Sequence, residues 1–356
     1  MENLFFECLQ VAIGNRQGMS AVLSQEQWGR LFEIAREQSL LGVIFYGIQK
    51  NPEVKPDKKL LLQWFSISEQ IKQRNQKTNR AAVELVDFFQ ENGFRTCILK
   101  GQGNSLNYPD PYIRTSGDID IWVEGGHQKV LEFTRKYVPG ADFCYNHIEF
   151  KKVDGVETEV HYCPLYMNNM IHNSRLQRWF KSEVDEQFSH EVELPDGTGK
   201  VCVPTNSFNR IYQLSHIAKH FFREGIGLRQ FVDYYFVLKQ GFTEEERLKD
   251  EILLKRLGLY EVATAVMYVL KEVLCMDDRL LLVPVDERRG KFLLNEILLS
   301  GNFGRYDKRV KHNGSQLTHN IQRFKRDFRL VWYFPSECFW EPIFRLYHFL
   351  WRLYNK

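Results

Sequence analysis

No apolar stretch of this 356-residue chain is long enough to cross a bilayer, and its start, MENLFFECLQ, has no basic segment ahead of an apolar one. Neither a membrane span nor a secretory leader is expected. Strong charge bias is missing too: 48 Lys and Arg stand against 45 Asp and Glu, a net charge of +3. That balance carries no strong nucleic-acid signal, although a local basic cleft is compatible with it. The seven cysteines, Cys8, Cys97, Cys144, Cys163, Cys202, Cys275 and Cys338, are scattered without any CxxC. Such an odd, unpatterned set fits neither a disulfide framework nor a zinc knuckle, and points to reduced thiols in a cytoplasmic protein. Low-complexity tracts and internal repeats are also lacking. What is present is a 44% hydrophobic composition, enough for a sizeable core, at a length that suggests two or three structural units.

The hydrophobic period divides the chain into a helical region over 1–92, an α/β core over 93–205 and a second helical region over 206–356. In the first, SQEQWGRLFEIAREQSLLGVIFYGIQ has Ser24 as a candidate N-cap and apolar residues at helical spacing. A Pro-containing connector, Asn51 to Lys59, leads to a long periodic segment that stops at Gly93, a usual helix C-terminal residue. The period then shortens. RTCILK and GDIDIWV read as strands, GQGNSLNY as a turn and short helix, and HQKVLEFTRKYV as a helix. HIEFKKVDGVETEVHY reads as a hairpin turning on Asp154-Gly155, and HEVELPDGTGKVCVP as a second around Asp196-Gly197. From Ser207 onward the pattern is helical again.

The GDIDIWV strand poses a problem. Residues two apart point to one face, so Asp118 and Asp120 project together while Ile119, Ile121 and Val123 enter the core. Two carboxylates this close repel, and burying them is costly unless a cation joins them. Mg²⁺ prefers such hard oxygen ligands, commonly together with substrate phosphates. If the aspartates exist for this purpose, Asp120→Asn is expected to leave the metal-free protein as stable as before or more so. On the VETEVHY strand, Glu157, Glu159 and His161 share a face. A two-residue turn places Lys152 opposite Glu157 and Phe150 opposite Glu159, so Glu159 is the better candidate for a third metal ligand or general base.

The residues ahead of the aspartates suit phosphate. LKGQG is a strand end followed by glycines and a short helix, whose free N–H groups can cradle phosphate oxygens. Lys100, Gly101, Gln102 and Gly103 are the candidate contacts, and Arg114 and Ser116 lie close enough in sequence to add to them.

Taken in order, a glycine turn, paired acids and a later acid on a strand resemble the DNA polymerase beta-like nucleotidyltransferase superfamily. The closer resemblance is to the bacterial uncharacterised nucleotidyltransferase family, carried by Lys100-Gly101, Arg114, SGDIDIWV and VETEVHY, and more loosely by HIAKH and LLSGNFG. The resemblance implies an α+β fold, a polymerase-beta-like mixed sheet with flanking helices, accompanied by N-terminal and C-terminal helical regions. It implies Asp118 and Asp120 as metal ligands with Glu159 as the third acid. The chain departs from the superfamily pattern in the longer loop LNYPDPYIRT between the glycine turn and the acid pair, which leaves the phosphate-binding residues open.

Other residues have two readings. His216 and His220 in HIAKH share a helix face, but Ile217 stands where a zinc protease has its glutamate. A structural role or a polar wall of the substrate cleft is the better expectation. Asp233 either faces these histidines or pairs with Arg229 along its own helix, and His161 either orients substrate or is a satisfied half-buried histidine. The aromatic and arginine-rich stretch from Phe328 to Lys356 suits a packed terminal helix better than contact with a membrane surface. The function expected is transfer of a nucleoside monophosphate from an NTP to an acceptor in a small molecule, an RNA end or a protein, with two Mg²⁺ ions, Mn²⁺ serving as a substitute. The alternatives are a non-catalytic nucleotide-binding scaffold and, in another class, a membrane-associated adaptor.

Overall fold

Ser24 caps the helix that follows it and closes a reciprocal capping box with Gln27, so α2 (Gln25–Glu37) begins where its cap residue stands. It follows α1 (Glu2–Ala12) and is followed, after a break at Ser39 with φ +56°, by α3 (Leu41–Lys50). The chain is a computed structural model describing residues 1–51, 54–310 and 316–354; two residues of the expected Asn51–Lys59 connector and the last two of the chain lie outside the described residues. Helix α4 (Lys58–Glu91) is pinned to α3 by the Trp64 indole, which donates to the Leu41 carbonyl at 2.8 Å. It ends in a Schellman arrangement: Gly93, at φ +77°, donates to Gln90, and the Phe94 N–H reaches back to Phe89.

The sheet that follows has four strands, β1 (Thr96–Leu99), β2 (Ile119–Val123), β3 (His147–Glu149) and β4 (Thr158–His161), in the order β1-β2-β4-β3. It is mixed, with β2 and β4 parallel and both outer pairs antiparallel. Helix α5 (Gly101–Ser105) joins β1 to the loop before β2, and α6 (Gly126–Arg135) follows β2. One sheet face, formed by Ile98, Ile119, Ile121, Val123, Ile148 and Val160, packs on Leu85, Val86 and Phe89 of α4 and on Val130 and Leu131 of α6. A one-residue slip of β2 would remove Ile119, Ile121 and Val123 from this core, at a cost of about 6 kcal/mol for three buried aliphatic side chains. The apolar face thereby dictates that Asp120 points the other way.

The β3–β4 hairpin corrects one expectation. At its tip, Asp154 (φ +49°) and Gly155 (φ +73°) make the turn, Val153 pairs with Val156, and Lys152 forms an ion pair with Glu157. Deeper in, the partner of Glu159 is Glu149, not Phe150. One extra residue on the first strand shifts the register, as in a β-bulge.

Beyond the sheet come α7 (Met170–Gln187) and a separate hairpin of β5 (Glu191–Leu194) and β6 (Gly199–Cys202), turning through Asp196 and Gly197 at positive φ. The remaining helices are α8 (Asn206–Arg223), α9 (Leu228–Lys239), α10 (Glu244–Leu257), α11 (Tyr260–Leu274), α12 (Glu287–Ser300), α13 (Gln316–Leu330) and α14 (Pro335–Tyr354). One large core runs from Phe5 to Cys338, so helices from both ends of the chain share it, α1 meeting α11 where the Gln10 side chain donates to the Val273 carbonyl at 2.9 Å, and Cys97, Leu99 and Trp122 carry it onto the second sheet face. That face therefore lies against α8 through Trp122 and Phe208, whose ring centroids are 6.1 Å apart. The terminal helix α14 buries Cys338 and Phe344 but leaves Phe339, Leu346, Phe349 and Leu353 exposed. Among the described residues no helix is long and apolar enough to cross a membrane. The result is an α+β architecture, a small mixed sheet between helices.

Candidate active site

Strand β1 delivers Lys100 in an unusual backbone state, φ 56° and ψ −118°, a region that glycine adopts easily and a lysine only when its surroundings enforce it. The turn aims the ammonium at β2, where Nζ lies 2.8 Å from Asp120 Oδ2 and 3.2 Å from His216 Nε2. Asp120 is the register partner of both Leu99 and Glu159, so the sheet itself sets the Lys100, Asp120 and Glu159 side chains beside one another. Asp118, immediately before β2, completes a group of three carboxylates whose oxygens lie within 4.8 Å. Two residues along β4 from Glu159, His161 places Nε2 2.9 Å from Asp120 Oδ1 and 3.3 Å from Glu159 Oε2.

The acids are not equivalent. Burial alone would raise the Asp120 carboxyl, but Lys100 and His161 outweigh it and hold it well below the usual range. Burial likewise opposes charge on Glu159, and the His161 hydrogen bond overcomes it. Asp118 has no such hydrogen bond among the described residues, and the charge of Lys100 supports it too weakly. It is exposed at its outer edge, yet the Asp120 charge, and after it enclosure by the cleft wall, pushes its carboxyl up to about 6. The expectation that Asp120 bears the strain of the pair is thus corrected: Asp120 is a buried, ion-paired carboxylate and Asp118 takes the repulsion.

These groups open into a cavity of about 360 Å³, walled opposite the sheet by α8. His216 and His220 both line it, with their Nε2 atoms 2.8 Å apart, and His220 Nδ1 sits 2.5 Å from Glu224. Burial, reinforced by Lys100, keeps His216 well below the ordinary histidine range, so it is neutral. Arg114 and Asp233 also line the cavity, but as a pair: Arg114 Nε and Nη2 donate to the two Asp233 oxygens at 2.8 Å, and Tyr108 donates to Asp233 at 2.6 Å. Asp233 thus lines the same cavity as the two histidines, but its ion pair is with Arg114; Arg229, the expected partner along the helix, donates to the Thr115 carbonyl at 2.8 Å.

The sequence profile of the uncharacterised nucleotidyltransferase family matches residues 24–274, well over half of the chain. The chain belongs to that family. Among solved structures, an antigenic nucleotidyltransferase-like protein from Paracoccidioides brasiliensis matches at 16% identity with a TM-score of 0.30, over 51% of this chain and 88% of that one. A comparison with curated proteins gives no match. Family membership supports nucleotidyl transfer as the activity, with an NTP as donor.

The residues expected to take phosphate are not all placed at the cavity. Of the glycine turn, only Lys100 and Gly101 line the cavity. Gln102 is buried, and an added Cβ at Gly103 would meet Val203 at 3.0 Å, so that glycine is needed for packing. Ser116 is buried away from the cavity with its hydroxyl unpartnered, and the Arg114 fork is occupied by Asp233. Positive charge comes instead from Lys219 and Arg223 of α8, Arg229 of α9 and Arg323 of α13. Burial, then Arg223, lowers the Lys219 ammonium to about 8. Lys219 forms no ion pair among the described residues, and its ammonium lies 4.9 Å from the centre of the Tyr166 ring. Its position was legible: 216, 219, 220 and 223 recur at helical spacing on one face of α8. Nothing comparable marked Phe303, which enters the cleft from a loop at φ +55°, or His147.

Proposed function

We propose that the cleft transfers a nucleoside monophosphate from an NTP to an acceptor hydroxyl or phosphate in a reaction that requires a divalent cation. Asp118, Asp120 and Glu159 would hold it, with room in the donor set for two Mg²⁺ ions or for Mn²⁺ in their place. The residues suit such a cation: they offer hard oxygen donors within 4.8 Å, and one of them, Asp118, has a carboxyl at about 6 that needs a neighbouring positive charge to ionise fully. When bound, the metal neutralises triphosphate charge and stabilises the pyrophosphate leaving group. Lys100 keeps Asp120 ionised. Lys219 and Arg223, with Arg323 at the rim, would take the phosphate oxygens in place of Gln102, Gly103 and Ser116. Glu159 would either complete the cation's site or take the acceptor proton.

The observation that carries this reading is the facing of two charges across one cavity: Asp118 on the sheet, repelled by Asp120, and Lys219 on α8, which forms no ion pair among the described residues. A metal–triphosphate complex matches both. Incubation with each radiolabelled NTP, Mg²⁺ and cell extract tests it, and separation of the products by size and class would identify the acceptor. The reading requires a labelled product that is lost in Asp118→Asn. A non-catalytic scaffold is favoured by one fact, that both Asp120 oxygens are already engaged by Lys100 and His161. That reading requires nucleotide binding with no labelled product.

A further inference from the structure

We propose a second cation site beside the carboxylates, formed by His147, Glu159 and His161 and selective for a first-row transition metal over Mg²⁺. The three residues bring one ligand atom each to within 4.8 Å of the others. They come from paired strands: His147 is the register partner of His161, and Glu159 is two residues away on the same face of β4. The spacing is that of ligands more than that of hydrogen bonds. Glu159 Oε2 is 3.3 Å from His147 Nδ1 and 3.3 Å from His161 Nε2. A charge-assisted hydrogen bond closes to about 2.8 Å. Donors about 2.0–2.1 Å from a tetrahedral ion lie about 3.3 Å from one another.

The surroundings fit the same purpose. Asn146, fully buried, holds His161 Nδ1 at 3.2 Å. With that amide turned so that its oxygen accepts from Nδ1–H, a cation at this site would take the place of the proton that His161 Nε2 shares with Asp120 Oδ1 at 2.9 Å. The Cys144 sulfur lies 3.5 Å from the His147 ring nitrogens and braces that ring. Imidazole donors suit Fe²⁺, Co²⁺ or Zn²⁺, whereas Mg²⁺ takes oxygen. Glu159 is common to this group and to the three-acid group, so the two sites adjoin. The inference goes beyond the transfer reading and does not depend on it.

Cobalt is the probe, because its visible absorption reports imidazole coordination. Chelator-treated full-length protein is titrated with Co²⁺ in millimolar Mg²⁺ and without nucleotide. One Co²⁺ per chain should bind and resist Mg²⁺. His147→Ala, at a half-buried position, should weaken Co²⁺ binding by about 100-fold or more, and Asp118→Asn should not. In the wild type, imidazole N–H proton resonances should move far outside their normal window, a readout that needs no variant. Displacement of Co²⁺ by Mg²⁺, wild-type affinity in a folded His147→Ala, or unshifted imidazole protons would each overturn the proposal. None of these readouts uses turnover, so a Co²⁺ site without labelled product would defeat only the transfer reading, and Mg²⁺-dependent transfer without a Co²⁺ site only this one.

Discussion

Lys100 Nζ lies 2.8 Å from Asp120 Oδ2 at the end of two paired strands in which Leu99 and Asp120 are register partners. The lysine reaches that position from a backbone state costing on the order of 1–3 kcal/mol. Asp120 is withdrawn from water to 5% exposure and Lys100 is half-buried at the cavity wall, so the buried carboxylate depends on its cation.

Asp120→Asn should therefore destabilise the metal-free protein, by about 3 kcal/mol, because it leaves Lys100 and His161 without their anion. Because the folded-state carboxyl is depressed, its contribution is complete above the unfolded value near 4 and is lost as pH falls below it. Denaturant unfolding in chelator at neutral pH is the measurement; an unchanged or raised midpoint would contradict the pairing.

Asp118→Asn should act in the opposite direction. Its carboxyl is pushed up to about 6 in the folded state, so the native protein binds the proton more tightly than the unfolded chain and stability falls as pH rises from about 4 through 6. Removing the charge should raise the melting temperature in chelator at about pH 8, with the gain shrinking to nothing by about pH 4. Thermal melts across that range decide it, and a gain that persists at the acid end would point to another cause.

The Arg114–Asp233 pair joins the loop before β2 to α9, and it is buried at both ends. Asp233→Ala or Arg114→Met alone should each cost about 3–5 kcal/mol, while Arg114→Met combined with Asp233→Leu should cost less than either. Should Arg114→Met prove silent for stability but impair nucleotide binding, Arg114 would be a phosphate ligand instead of a clamp.

Short-range chemistry was readable in advance. The period-two alternation of β2 sent Ile119, Ile121 and Val123 into one core and Asp120 to the other face, and Ser24, Gly93 and Asp154-Gly155 marked a cap, a helix end and a turn. Partnerships across distance were not. Arg114 and Asp233 are 119 residues apart, and along α9 the nearer cation, Arg229, was the natural partner for Asp233. The register slip behind Glu159 leaves no mark in residue type, because one extra residue in a strand alters geometry without altering composition. Helix α7 begins on Asn169, whose side chain accepts from the Ile171 and His172 N–H groups, a cap hidden in a stretch with weak hydrophobic period.

The central claim is that one cavity joins a metal-binding carboxylate cluster to a phosphate-binding wall. Titration calorimetry with ATP, GTP, CTP and UTP, each in Mg²⁺ and in EDTA, tests it most directly, run on the wild type and on Lys219→Ala. At least one nucleotide should bind the wild type in Mg²⁺, weaken at least tenfold in EDTA because triphosphate and carboxylates then repel, and weaken by a similar factor in Lys219→Ala. Equal affinity in Mg²⁺ and EDTA, or full affinity without Lys219, would contradict the account.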